Sequence, residues 1–192
     1  MIIGIDEVGR GCIAGDLVVC AFTLKPNLSP TEIESLRSVA MDSKAFSSRK
    51  RRSEAASIIR NLGYFSISRA DPIEIDRVNI REATLNAMAL SAKDLAGDRA
   101  RDVQYLFDGK DVPPAYAGVG EAIVKGDASV LEISCASIIA KVIRDEEMDE
   151  AAARFPQYGF ERHAGYGTKY HIAAIKQHGL CEIHRSWAKK FT

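Results

Sequence analysis

Apolar residues fall along this chain in short runs and helical spacings. Residues 2–5 (IIGI) form an apolar run that predicts a buried strand. Residues 17–24 (LVVCAFTL) are β-branched and aromatic and predict a second, with the turn GRGCIAGD between them. Residues 64–68 alternate like a strand, and 103–107 and 122–124 predict two more. Ser29 followed by Pro30 opens a helix, because serine caps the free amides and proline fits the first turn. Ser47 or Ser48 opens another that Gly63 stops. Residues 79–95 place Ile80, Ala83, Ala87 and Leu90 at helical spacing before Gly97. Residues 133–155 predict a long helix, and 168–177 a further one stopped by Gly179. Strands come early and helices late, which predicts an α/β fold with a mixed sheet flanked by helices. Residues 1–155 are read as the main domain and 156–192 as a small helical C-terminal extension packed on it. Nothing rich in Pro, Gly or Ser separates the two, so one continuous unit is expected.

Length and charge narrow the class. A chain of 192 residues suits one compact domain with an appendage. The longest uncharged stretches, such as 83–92, are about half the roughly 20 residues of a membrane helix, so no membrane association is expected. Asp6, Glu7 and Arg10 precede any long apolar run, which argues against a secretory signal. Cys12, Cys20, Cys135 and Cys181 form no C-x-x-C pair and read as reduced thiols of a cytoplasmic protein. The 26 basic residues balance 26 acidic ones, which argues against a general nucleic-acid coat protein. A nucleic-acid enzyme with a basic track and an acidic metal site would still sum to zero.

The acids are placed informatively. Asp6 and Glu7 follow IIGI directly, Asp108 follows VQYLF, and Asp127 follows AIVKG. A carboxylate beside a buried strand costs desolvation free energy. Several at one edge repel and raise one another's pKa. A divalent cation relieves both penalties, and all-oxygen ligands select Mg²⁺ or Mn²⁺ over zinc. Two such ions about 4 Å apart activate a water and stabilise a leaving oxygen in phosphodiester cleavage. Adjacent strand residues face opposite ways. Asp6 and Glu7 therefore share a site only if the strand twists or bulges, or if one acts through a water or the backbone. The plainer alternative is surface acids capping loops at strand exits.

The chain also resembles a known family. IDEVGRG at 5–11 with Ala14 and Gly15, DSK at 42–44, NI at 79–80, FDGK at 107–110, KGD at 125–127, ASIIAKVIRDEEM at 136–148, GYGT at 165–168 with His171, and HRSW at 184–187 stand in order. They are similar to the motifs of ribonuclease HII, the type 2 ribonuclease H family. The resemblance implies an RNase H-like fold. It implies metal-dependent hydrolysis of the RNA strand of RNA–DNA hybrids and incision 5′ of single ribonucleotides embedded in duplex DNA, leaving a 3′-hydroxyl and a 5′-phosphate. It implies that Asp6, Glu7, Asp108 and Asp127 are the catalytic acids and hold two Mg²⁺ or Mn²⁺ ions. It implies that Gly9, Arg10 and Gly11 read the ribose through the backbone and that Tyr166 senses the 2′-hydroxyl. Glycine admits close backbone approach, and the 2′-hydroxyl distinguishes RNA from DNA. Lys44, in the DSK motif, is the candidate phosphate contact. Asp16, Ala45, Phe46, Lys110 and Cys135 depart from common family residues, and none is among the four acids. With five residues before Asp6, no N-terminal substrate-binding extension is expected. Family members often bind a sliding clamp through a C-terminal peptide; that partner stays open here, although the tail WAKKFT does not support it, and a monomer is expected.

The remaining features have two readings each. Lys44 and residues 49–52 form a basic run that is either a solvated face or a phosphate track. Ser134, Ser137 and Lys141 share one helix face, and Ser137 and Lys141 are candidate phosphate contacts. Asp145, four residues after Lys141, reads as its ion-pair partner in preference to a metal ligand. His178, Cys181 and His184 raise a zinc site, which their loose spacing disfavours. His163 and His171 read as surface or substrate-adjacent groups, and Trp187 as packing. Gly9, Gly11 and Ala14 match a dinucleotide fingerprint, but a strand-like segment follows where that motif needs a helix. A non-catalytic binder gains nothing from four acids facing phosphate. A resolvase-like nuclease would not need the ribose-reading elements.

Overall fold

The computed structural model describes residues 1–41 and 48–192. Among these, five strands form one mixed sheet: β1 (Ile2–Val8), β2 (Leu17–Leu24), β3 (Gly63–Ala70), β4 (Gln104–Asp108) and β5 (Gly120–Ile123), in the order β3-β2-β1-β4-β5. β1, β2 and β3 pair antiparallel, whereas β1, β4 and β5 run parallel. The helices are α1 (Pro30–Ala40), α2 (Arg49–Leu62), α3 (Pro72–Val78), α4 (Ile80–Ala96), α5 (Leu131–Arg154), α6 (Phe160–His163) and α7 (Lys169–His178).

Both faces of the sheet are covered, which explains the uninterrupted apolar run of β2. Leu17, Val19 and Ala21 join Ile3, Ile5 and Phe107 in a core with Ala83, Ala87 and Met88 of α4. Val18, Cys20 and Phe22 point the other way, against Cys135, Ile138 and Ile139 of α5 and Ala56 and Ile59 of α2. Gly4 has no room for a side chain, because a Cβ there would lie 2.3 Å from the backbone nitrogen of Ile133. α5 therefore lies directly on β1. A third cluster joins Ile13, Ala14 and Met148 to Tyr158, Phe160, Ile175 and Ala188. Through it the segment after α5 packs on the rest of the chain.

Local signals set the helix ends. Ser29 accepts the Glu32 amide while Glu32 returns to the Ser29 amide, a reciprocal cap with Pro30 in the first turn. Ser48 caps α2, and Thr168 caps α7. Two features differ from the sequence reading. α3 was not expected, although Asp71 caps it and Pro72 occupies its first turn. Leu90, read as a core position of α4, is half exposed. DSK at 42–44, with the candidate Lys44, lies outside the described residues. All four cysteines are free. Among the described residues, no helix is long and apolar enough to cross a membrane.

Candidate active site

The parallel arrangement brings three strand ends to one edge. The last paired residues of β1 and β4 are Ile5 and Phe107, immediately before Asp6 and Asp108. β5 ends beside Asp108 and leads through a 3₁₀ turn, Gly126–Ala128, that carries Asp127. Ligands of α/β sheets bind at such carboxyl-terminal strand ends. Beside this edge, the cleft bordered by Asp108, Arg10, Arg81 and Lys110 encloses only about 20 Å³. A small molecule needs a few hundred Å³ to be enclosed, which this cleft does not offer.

The pairing of β1 with β2 is unbroken through Val8, so no bulge turns Asp6 and Glu7 to one side. Asp6 is paired with Cys20 and shares the α5 face; Glu7 is paired with Val19 and lies on the α4 side. The two carboxylates straddle the strand end, and they still interact electrostatically with each other and with Asp108. Asp6 is almost fully buried. Burial first, then Glu7, push its carboxyl well above the usual carboxylate range, against the pull of a hydrogen bond from Ser137. Its Oδ1 also accepts the Glu7 amide at 2.7 Å. Burial raises Glu7 to about 7 despite Arg10, whose guanidinium donates to Oε1 at 3.3 Å. Asp108 is raised by burial too, while its Oδ1 accepts the Gly126 amide at 2.7 Å. Asp127 is exposed, and its charge acts on Asp108.

Among the described residues, no three carboxylate, imidazole or thiol groups stand ready-made around a single ion position. The donor set nevertheless fits a hard cation. It is all oxygen, it is desolvated, and Glu7 Oε2 is buried without a hydrogen-bond partner. A cation arriving at Glu7 would satisfy that oxygen and, through its charge, favour the ionised form of the raised carboxyls nearby.

The two loops read as ribose-facing meet each other. Gly9 has φ +96°, and a Cβ there would lie 2.3 Å from Arg144 Nε. A Cβ on Gly11 would lie 3.9 Å from the Tyr166 ring. The Ile13 amide donates to Gly165 O at 2.9 Å. Tyr166 is partly exposed, with Cys12 and Arg144 beneath it.

Other candidates are placed differently. Ser137 borders Asp6, but Lys141 is ion-paired with Asp145, as the i,i+4 spacing suggests. Arg52 also reaches Asp145, at 3.2 Å, and Arg49 grips Asp149 of α5 at 2.7 Å. Part of the basic run is therefore held by α5. His163 and His171 are buried, which corrects their reading as surface groups: α6 and α7 fold over them with Tyr158 and Phe160. His178 is exposed, while Cys181 Sγ meets His184 Nδ1 at 3.1 Å, so the three do not form a zinc set. Trp187 packs against two core clusters. The segment after residues 9–14 is β2, which removes the dinucleotide reading.

Two buried arginines beside the candidate site escaped the sequence reading. Arg144 and Arg185 are fully buried behind the 9–15 loop, where Arg144 donates to Ala14 O at 3.0 Å. Arg144 lies four residues from both Ala140 and Met148 on an apolar helix stripe, which was the available signal.

A mixed sheet in this order, with an acidic edge at its parallel strand ends, defines a protein of the ribonuclease H class. The chain belongs to the ribonuclease HII family, whose sequence profile matches residues 3–191. It is 43% identical to ribonuclease HII of Shewanella loihica over 184 residues, covering 95% of this chain and 84% of that one. It is 44% identical to ribonuclease HII of Maricaulis maris, covering 96% and 79%. Its fold superposes on the ribonuclease HII solved in complex with PCNA from Archaeoglobus fulgidus, with TM-score 0.80, 25% identity and coverage of 100% and 95%. The ribonuclease H2 of Pyrococcus horikoshii gives 0.78, 26%, 99% and 96%. The chain is thus an endonucleolytic hydrolase of the ribonuclease H kind, a class that acts on RNA–DNA hybrids.

Proposed function

We propose that this protein cleaves the phosphodiester on the 5′ side of a ribonucleotide, in hybrids and at single ribonucleotides embedded in duplex DNA, leaving a 3′-hydroxyl and a 5′-phosphate. The observation that carries the reading is the desolvated Asp6–Glu7–Asp108 edge, with an orphaned oxygen on Glu7, beside a glycine loop that faces Tyr166. Asp6, Glu7, Asp108 and Asp127 are the residues assigned to hold Mg²⁺ or Mn²⁺. Bound there, divalent ions neutralise phosphate charge and acidify the attacking water. Ser137 orients the Asp6 carboxylate. Gly9, Arg10 and Gly11 present backbone to the sugar, and Tyr166 covers it, so a ribose is read by groups that need its 2′-hydroxyl. Lys141, already paired with Asp145, contributes to phosphate binding only as part of that network. The reading takes the protein as a cytoplasmic monomer acting on duplex nucleic acid. The tail lends no support to a sliding-clamp contact: Ser186 is tied to Asp76, and Phe191 packs partly buried against the third cluster.

A DNA duplex with one internal ribonucleotide tests this directly. Incision 5′ of the ribonucleotide in Mg²⁺ or Mn²⁺, with none in EDTA or on all-DNA duplex, is the expected result. Cleavage that survives EDTA, or that yields a 3′-phosphate, would overturn it.

A further inference from the structure

The elements assigned to ribose reading lie on two loops, and something must hold those loops in register. Two adjacent residues, His184 and Arg185, touch both. Arg185 is fully buried. Its guanidinium donates to Gly15 O at 2.9 and 2.7 Å, to Cys12 O at 3.2 Å and to Arg10 O at 3.3 Å. Among the described residues it makes no carboxylate ion pair. A buried cation spent on carbonyls is a poor stabiliser compared with an apolar side chain of the same volume, but its planar fork fixes three carbonyls of one loop at once.

His184 reaches the other loop through His171. His184 Nδ1 lies 2.9 Å from the Cys181 amide, which can only donate, and 3.3 Å from the Cys181 carbonyl, which can only accept; the shorter contact has Nδ1 accepting and leaves the proton on Nε2. At the far end Tyr166 O can only accept, and it meets His171 Nδ1 at 2.9 Å, so that nitrogen carries the proton and Nε2 is bare. The two Nε2 atoms face each other at 3.1 Å. The Tyr166 end leaves His171 Nε2 bare, so the proton between the two rings is donated by His184, and the closer Cys181 contact agrees with that. The result is a one-directional chain from the Cys181 amide through two neutral imidazoles to the carbonyl of Tyr166, which also accepts the Thr168 amide at 2.8 Å. Burial, the largest cause, holds both rings neutral, His171 down to about 4. There is no slack around these contacts: a Cβ on Gly165 would sit 2.3 Å from Ala14 O.

We propose that His171, His184 and Arg185 are positioning residues that set the gap between the 9–11 loop and Tyr166, and so set the rate at which a ribose is accepted at the cut site. The proposal rests on the reading of that loop and Tyr166 as the ribose readers.

The test is a double-mutant cycle in cleavage of the single-ribonucleotide duplex. His171→Ala is expected to lower kcat about tenfold with KM within about twofold, and to add less than about twofold in a Tyr166→Ala background, because coupled residues are non-additive. His171→Asn, whose amide still donates to Tyr166 O, should recover most of the loss. His171→Gln, which reaches toward His184 instead, should not. This Asn–Gln pair carries the test if His171→Ala fails to fold, as judged by thermal melting. Arg185→Lys should likewise lower kcat, since an ammonium cannot span the three carbonyls. Wild-type activity of His171→Ala or His171→Gln overturns the clamp alone, provided Tyr166→Ala is impaired. A full His171 effect persisting in the Tyr166→Ala background also overturns it. A silent Tyr166→Ala overturns the assignment of Tyr166 and the clamp with it.

Discussion

Asp6→Asn is expected to abolish hydrolysis and, in metal-free protein above pH 7, to raise the melting temperature. The amide keeps an oxygen for the Glu7 amide and for Ser137, so the local geometry survives. What disappears is a charge at the centre of the acidic edge. Removing one preorganised electrostatic group of this kind costs on the order of a thousandfold in turnover. The stability gain follows from the same burial. Asp6 titrates well above the usual range and Glu7 at about 7. Their folded pKa values exceed the unfolded ones. The folded protein therefore holds extra protons above the ordinary carboxylate range; the stability from protonated Glu7 is lost as pH rises to about 7, and that from protonated Asp6 as pH rises through its own raised pKa. Relief of one buried charge should be worth ~1 kcal/mol, and for a chain of this size each kcal/mol moves the midpoint by about 3 °C.

Mg²⁺ or Mn²⁺ should reverse the order. The ligands must be deprotonated to bind, so the stabilisation of wild type by the ion should grow from pH 5 toward 8, and Asp6→Asn should lose most of it. The buried His163, His171 and His184 have lowered pKa values and destabilise the fold as pH falls below about 6.5, which is why the comparison belongs above pH 7. Thermal melts with and without the ion, read beside turnover, decide the matter. Near-normal turnover, or a lower metal-free midpoint than wild type, contradicts the assignment.

Gly4→Ala should be the most damaging single methyl in the sheet. The added carbon would lie 2.3 Å from Ile133 N and 2.4 Å from Glu132 C, both backbone atoms of α5 that cannot rotate away. Either α5 lifts from β1 or the strand shifts. The expected cost is about 3 kcal/mol or more, at the upper end of overpacking, seen as a fall of roughly 6–12 °C in the melting midpoint. Function should fall further than stability, because α5 carries Ser137 over Asp6. Equal activity per folded molecule would separate the helix from the site.

Gly4 also shows where reading the sequence stops. The run IIGI announced a buried strand, and it is one, but nothing in it says that a helix 128 residues later needs the missing side chain. Local signals fared well because their physics is local: Ser29, Pro30 and Glu32 cap α1, Ser48 caps α2, and Gly63 ends it. Asp71-Pro72 carries the same kind of signal for α3, a helix too short to show an apolar period. Leu90 fitted helical spacing yet is half exposed, because periodicity gives a face and not the width of what covers it.

The acids at predicted strand ends were legible as a group, since each follows an apolar run. Their relation was not. Only the order β2-β1-β4-β5 sets Asp6 and Asp108 side by side with Asp127 at the next strand end, and only the unbroken pairing of Asp6 with Cys20 and Glu7 with Val19 puts the first two acids on opposite faces. The burial of His171, His184 and Arg185 was likewise invisible, because polar residues near the end of a chain read as surface until a third cluster closes over them. By itself the sequence determined the strands, most helix ends, the acidic character of the edge and the family. Tertiary structure alone decided which charges lose their water and which loops touch. Desolvation and contact are sums over residues distant in the chain, and no local window contains them.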